Sequence, residues 1–470
     1  MVLPAILDPF AEGAAPAVMT RLALDWMIQD TSIDPILGEF TDRQYNREFL
    51  LSHFVQVMVD VACGFRRSLR AAFLKRKLDL IASVSAFYRK LARMEPAVSA
   101  AIVRETADRA RQLIVAAEGL LPEPIAGYKA RVLDGNVLTG TDHRIIELRT
   151  TLSAALPGKS LAIYEPASSL VLDIVLEENA HAQERSLLDQ IDVEPGQLWI
   201  MDRNFCVRTF LFRILRAGAF FLVRRHQSTL PFEPIKPLKS VGRGDTGEIF
   251  EQPIWVDDPE CEGRRYRLRR IVLRLDQPTR EGETEIVLIT NLPDKIPAGL
   301  CCSVYRGRWE IEKHFQKLTD LLHCEIPTLG YPRAALFAFC MSVLAGNALA
   351  ILKGNLRAVH GDEMVDELSI YAVVNDVAEI YPGMMMAVPP VKWSFLHDGS
   401  ANQVAGLLSE LAAKVPLERM LRSRRGPKKP RTTKKSSGSK IHHVATKKLL
   451  DAARGDPPGK ATKNQGRITS

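Results

Sequence analysis

Two aspartates and one glutamate stand where a carboxylate could do chemistry. Asp134 closes an apolar run in "RVLDGN", and Asp202 closes another in "LWIMDRN". An acid at that point sits on the rim of a sheet, fixed by a rigid strand yet open to solvent or to a metal. The competing reading is an aspartate that starts a turn, a common use of the residue. If the first and fourth strands lie side by side, the two aspartates converge. Hard cations such as Mg²⁺ take oxygen ligands and usually one or two carboxylates each, so a third acid from a later helix would complete a two-metal site.

"YRGRWEIEKHFQKL", residues 305 to 318, offers two acids for that place, Glu310 and Glu312. On an ideal helix with Glu312 at zero, Arg308 falls about 40° to one side and Tyr305 about 20° to the other. Gln316 and Thr319 share this stripe. Ile311, Phe315, Leu318 and Leu322 form the adjoining apolar face. Glu310 lies about 160° away and should look into solvent. Glu312 is therefore the candidate. An ordinary amphipathic helix with Glu312 paired to Arg308 one turn back is the alternative.

The elements that must position these acids read as a mixed α/β core. "YKARVLDGN" (128–136), "KSLAIYEP" (159–166) and "LVLDIVLEEN" (170–179) are short β-rich runs bounded by Gly, Pro or Asn. A helix over 180–191, a strand over 197–205, a helix over 207–218 and a strand over 219–226 follow. Residues 1–125 are helical by the three- and four-residue spacing of their apolar positions, with 72–94 read as a single helix. They form an N-terminal helical region. Residues 126–227 then hold the first part of the core, and 228–293 a β-rich insertion. Residues 294–357 hold the second part with the glutamate helix, 358–418 a further helical region, and 419–470 a tail.

Composition narrows the class. The net charge of +8 conceals an asymmetry: Arg419 to Ser470 carries 16 Lys/Arg against two Asp/Glu, leaving the remainder at about −6. Rich in Lys, Arg, Pro, Ser and Gly, that tail cannot bury a core and should be disordered. The seven cysteines form no CxxC pair, which points to a reduced, cytoplasmic protein without structural zinc. Cys301, Cys302, His314 and Cys324 crowd one region, but their spacing suits no common zinc site. The start lacks the basic n-region of a signal peptide. "AALFAFCMSVLAGNALAIL" (334–352) approaches the length of a membrane span. Its Ala, Gly, Ser and Asn content fits a helix buried in a core better, and no membrane partner is expected.

Tyr305-x2-Arg308-x3-Glu312, following "ITNLP" and containing Trp309, resembles the Y-R-E-K signature of the insertion-sequence-4 family of DDE transposases. The "VLDGN" and "WIMDRNFC" contexts resemble that family's first and second acidic motifs. "TDHRIIELR" (141–149) and "TLGYPRAALFAFCMSVLAGN" (328–347) resemble its flanking segments, so the similarity spans roughly 125 to 355. It implies a ribonuclease-H-like core interrupted by a β-rich insertion. Asp134, Asp202 and Glu312 would form the DDE triad holding two Mg²⁺, with Mn²⁺ as a substitute. Tyr305 and Arg308 would contact the transposon-end DNA. The implied activity is cut-and-paste transposition: phosphodiester hydrolysis followed by strand transfer. The implied partners are double-stranded DNA (inverted-repeat ends and target) and a second copy, since pairing two ends calls for a dimer. The implied setting is the nucleoid of a bacterium. One position departs: the signature's lysine corresponds to Thr319, and Lys317 lies about 140° from Glu312 on the wheel.

Phosphate contacts need bases near the acids. Arg203 adjoins Asp202, and Arg224 and Arg225 end a strand in "VRRH". Arg265, Arg267 and Arg269 would share one strand face, for phosphate or as a charge-blunted edge. Glu184 and His181 could support the acids, or belong to a solvent-facing helix. The tail should add salt-sensitive, non-specific DNA affinity, which truncation before Arg419 would remove. A ribonuclease-H-like nuclease or resolvase without strand transfer is a second reading. A transposase-derived protein that binds DNA without cutting it is a third.

Overall fold

Among the described residues ten strands build one mixed sheet, whose first five carry the candidate aspartates. The computed structural model describes residues 1–422 apart from 41–49, 77–82, 143–144, 147–148, 150–154, 227–228, 280–281, 313–314, 317–321, 323–325 and 397–398. The basic tail beyond 422, Lys317, Thr319, His314 and Cys324 lie outside the described residues.

The strands are β1 (Lys129–Val137), β2 (Lys159–Glu165), β3 (Leu170–Glu177), β4 (Gln197–Met201), β5 (Phe220–Arg224), β6 (Glu233–Pro234), β7 (Lys239–Gly244), β8 (Gly247–Asp257), β9 (Arg265–Leu275) and β10 (Glu285–Thr290). Their order is β3-β2-β1-β4-β5-β10-β9-β8-β6, with β7 paired to β8. β1, β2 and β3 are antiparallel neighbours, whereas β1, β4 and β5 run parallel. That arrangement of the first five strands is a ribonuclease-H-like core with flanking helices.

The β-rich stretch read as an insertion is not a separate sheet. β10 pairs antiparallel with β5 through Leu288–Arg224 and Thr290–Leu222, and β9 and β8 add on beyond it. Without β10, the apolar β5 would present an open edge of unpaired backbone groups, which folded sheets avoid. The core and the added strands therefore share one hydrogen-bond network.

Three local expectations are corrected. The first strand does not stop at Asp134: pairing with β2 carries it to Val137, while its ladder with β4 ends at Leu133–Met201. Residues 180–191 form no α-helix, only a 3₁₀ segment over Glu184–Gln190. The Asn179 side chain accepts from the His181 N–H there and holds a turn instead. Residues 72–94 are not one helix: Leu69–Lys75 and Val84–Leu91 are each started by a serine, Ser68 and Ser83, whose hydroxyl accepts from a backbone N–H.

Two cores sit on the two faces of the sheet. One face packs against helices. The other is filled by aliphatic side chains around Trp199, Phe205, Phe210, Phe212 and Phe221. On the helical side, the 29-residue helix Pro332–His360 runs between Ala15–Met27, Leu51–Ala62, Pro96–Ala116 and Ala401–Ala412. Its most apolar window is 94% buried against protein, which accounts for its uncharged sequence. Asn347 in that helix has a structural use. Its amide accepts from Val171 N–H and donates to Val171 C=O, closing backbone groups on the edge strand β3.

Candidate active site

Asp134 and Asp202 are neighbours because of the β1–β4 register. Leu133 opposes Met201 in a parallel pair, so the residue after each stands beside the other, at a strand spacing of about 4.8 Å. Alternation along each strand puts both on the face that carries Val132 and Ile200, toward the helices. Asp202 has extended backbone and immediately precedes a 3₁₀ turn over Arg203–Phe205.

The signature segment supplies the third carboxylate, with a break the ideal wheel did not include. The helix Ala298–Gly307 ends before Arg308, where backbone bonds Arg308 N–H to Tyr305 C=O and Ile311 N–H to Arg308 C=O tighten the chain. Helical residues resume at 309. The stripe survives: Tyr305, Arg308 and Glu312 all face the aspartates, and Glu310 is exposed. Tyr305 Oη donates to Asp202 Oδ1 at 3.2 Å. Arg308 Nη2 donates to Glu312 Oε1 at 2.8 Å, and its Nη1 lies 3.6 Å from Asp134 Oδ1.

The electrostatics are those of a crowded acidic site around one resident cation. The Arg308 side chain is 7% exposed, Asp134 16% and Glu312 36%. Burial pushes the Asp134 carboxyl up to about 7, with Glu312 and Asp202 adding repulsion against the pull of Arg308 and the Gly135 N–H. Burial and the Asp202 charge push the Tyr305 phenol upward. Burial opposes the charge on Arg308, but Tyr305, Asp134, Asp202 and Glu312 together hold its guanidinium above the ordinary arginine value. The donor set is all oxygen, and Asp134, half-ionised at about pH 7, gains from a cation that answers its charge. Both features suit a hard divalent cation. Among the described residues, no three His, Cys, Asp or Glu side chains already form a metal-holding group, and Arg308 stands between Asp134 and Glu312.

The other sequence candidates are distributed unevenly. Arg203 and Arg224 both pair with Glu283. Glu283 went unnoticed in the sequence because nothing local distinguishes it; only the β5–β10 pairing brings it near. Arg225 follows Arg224 on the strand and so turns to the opposite face, over the Phe232 ring. Arg265, Arg267 and Arg269 are each engaged by carboxylates. They pair with Glu233 and Asp257, with Asp294, and with Glu251, and Arg269 is buried and donates to three backbone carbonyls. Glu184 accepts from Asn204 Nδ2, and an added Cβ on Gly135 would meet its carboxyl group at 2.7 Å. It thus braces the strand bearing Asp134 against the turn after Asp202, whereas His181 is exposed. Cys301 and Cys302 are free thiols, pushed up by burial to about 11 and about 12.

Fold and site together define an α/β protein with paired strand-end acids and a third acid from a later helix. No protein-family model matches the chain. Over 162 residues, 34% of this chain, it is 27% identical to "Putative transposase y4zB" of Sinorhizobium fredii (strain NBRC 101917 / NGR234). The matched stretch spans 43% of that protein's length. A solved structure, the cryo-EM structure of the piggyBac transposase synaptic complex with hairpin DNA, aligns over 82% of this chain and 84% of that one. Its TM-score is 0.40 at 11% identity, a likeness too distant to carry an inference. The weak sequence homology is to a transposase.

Proposed function

We propose that this chain is a cut-and-paste DNA transposase of the insertion-sequence-4, Y-R-E-K type, with Asp134, Asp202 and Glu312 as its DDE triad. The observation that carries the reading is the register that stands Asp134 beside Asp202 while the Tyr305–Arg308–Glu312 stripe closes over them. The homology to a transposase supports it. Asp134, Asp202 and Glu312 would hold two Mg²⁺, or Mn²⁺ in their place. Bound there, the metal would activate the attacking water or 3′-hydroxyl and stabilise the leaving oxygen of an in-line displacement.

The chain's own groups set up that chemistry. Tyr305 fixes one Asp202 oxygen through its hydroxyl and leaves the other free. Arg308 holds Glu312 toward the aspartates and offsets the repulsion among the three acids. Glu184, through Asn204 and against Gly135, keeps the two strand ends in register. Arg203 and Arg224, gathered on Glu283 at the same rim, offer cations to a DNA backbone, as does Arg308, and Tyr305 offers a hydroxyl. The partners are transposon-end and target duplexes, with two copies pairing two ends at the nucleoid of a bacterial cytoplasm.

Purified protein incubated with labelled end DNA and Mg²⁺, compared with Glu312→Gln, tests the reading. Cleavage and strand transfer in the wild type, lost in the variant with binding retained, is the expected result. Cleavage without joining would favour the nuclease reading. Binding without any cutting, with Mn²⁺ also tried, would favour a non-catalytic DNA-binding protein. The Thr319 departure at the signature's lysine is the feature that favours this last reading.

A further inference from the structure

The arginines of the added strands divide by partner. Arg243, Arg265, Arg267, Arg269 and Arg274 each have a carboxylate at ion-pair distance. Arg270 has none among the described residues. It alternates with the buried Arg269, so it lies on the opposite face of β9 from Arg269, the face shared by Leu268, Val272 and Arg274. Its Nη1 donates to Gln252 Oε1 at 2.9 Å, and its Nε is buried without a hydrogen-bond partner. The guanidinium lies 5.5 Å from the Phe232 ring centroid, and that of Arg225 lies 4.7 Å from the same ring. Arg274 stacks 4.2 Å from Phe250 on the neighbouring strand. Three guanidiniums thus gather on one face, two of them over one aromatic ring.

Glu285 answers Arg274 at 2.9 Å, whereas Arg270 has no carboxylate at ion-pair distance among the described residues. Burial, then Arg225 and Arg274, lower the Arg270 value against the pull of Glu285. Planar guanidiniums laid on rings are pre-organised forks for phosphate oxygens. Their position matters as well. Arg225 follows the C-terminal end of β5, which runs parallel to β4 and its following Asp202. Arg274 lies toward the same rim, because β10 and β9 are successively antiparallel. β9 is three strands from β4, about 14 Å, less than half a turn of duplex.

We infer that Arg225 and Arg270, with Arg274 beside them, form a second site for the DNA backbone on the face of the sheet opposite the carboxylates. This rests on the transposase reading for the identity of the ligand. A duplex crossing the rim meets the acids on one side and these arginines on the other. The contact is to phosphate, so it is independent of base sequence.

Fluorescence anisotropy with a labelled duplex of arbitrary sequence, in EDTA over a salt series, tests the inference. The slope of log K against log salt falls by about 0.9 for each phosphate the protein no longer neutralises. Arg270→Gln should lower it by about one and Arg225→Gln with Arg270→Gln by about two, whereas Arg270→Lys should keep the wild-type slope. Thermal melting of each variant identifies a folding defect, and Arg225→Gln alone carries the test if Arg270→Gln melts early. Wild-type slopes in the glutamine variants, with the wild type binding normally, overturn this site and leave the carboxylate site untouched. A wild type that binds no duplex overturns both.

Discussion

Asp134→Asn should stabilise the metal-free protein above neutral pH while abolishing any activity that depends on the carboxylate. The folded state holds the Asp134 proton up to about pH 7, against 3.8 for an ordinary aspartate. Between those values the folded chain binds more protons than the unfolded one, so stability falls as pH rises through the window. The loss is complete above pH 7 and absent below 3.8. At about 1.4 kcal/mol for each pKa unit, the penalty approaches about 4 kcal/mol at pH 8. Asparagine keeps the shape and removes the charge, so the variant escapes that penalty. The attraction of Arg308 is already included, because it is one of the causes that set the value.

Unfolding entropy of roughly 2.1 cal/mol/K per residue makes about 4 kcal/mol worth about 4 °C for a unit of this size. Melting curves in EDTA at pH 4 and pH 8 provide the assay. Asp134→Asn should melt about 4 °C above wild type at pH 8 and level with it at pH 4. A gap of the same size at both values, or a variant that melts lower at pH 8, refutes the argument. Added Mg²⁺ should narrow the gap at pH 8 by raising the wild type alone.

Tyr305→Phe removes the hydroxyl that donates to Asp202 and should cost about 1.5–3 kcal/mol, since the acceptor is charged; a melting curve level with wild type would remove that bond from the account. Gly135→Ala drives a methyl into the Glu184 carboxyl and should break its bond to Asn204, at about 1 kcal/mol. Adding Glu184→Ala should leave little further loss, and strictly additive effects in that double-mutant cycle would dissolve the proposed brace. Tail removal is best made after Arg422, because Met420 is buried and Arg422 N–H donates to Glu367 C=O. Losing the tail's cations should flatten the salt dependence of DNA binding, and an unchanged slope would exclude the tail from the interface.

The acids were legible because each stood at a change of texture, an apolar run giving way to Asn or Gly, or a charged stripe beside an apolar one. The wheel separated Glu310 from Glu312 even though the helix breaks at Arg308, because a break this small rotates the stripe without scattering it. What the sequence could not disclose was long-range. Glu283 reaches Arg203 and Arg224 only through the β5–β10 pairing, and one of three glutamates in "EGETEIV" carries no mark of that. Glu184 meets Gly135 because residues 180–183 turn instead of coiling. The arginines of "RRYRLRR" hid their partners for the same reason: their period of two was real, but the carboxylates come from β8, β6 and the segment after β10.

Tyr305 and Arg308 were expected to touch DNA, yet each is already committed to a carboxylate. A tyrosine hydroxyl has one proton, and here it goes to Asp202. A phosphate could take that proton only if Asp202 gave it up, after which the Asp202 oxygen would be open to a cation. Arg308 is less constrained: of its five donors one goes to Glu312, while Nη1 stands 3.6 Å from Asp134. If DNA binds at Tyr305, phosphate contact there and release of Asp202 would therefore be one event, not two. Added duplex should raise the affinity of the protein for Mn²⁺, and by linkage Mn²⁺ should raise the affinity for duplex by the same factor. Tyr305→Phe should weaken that coupling.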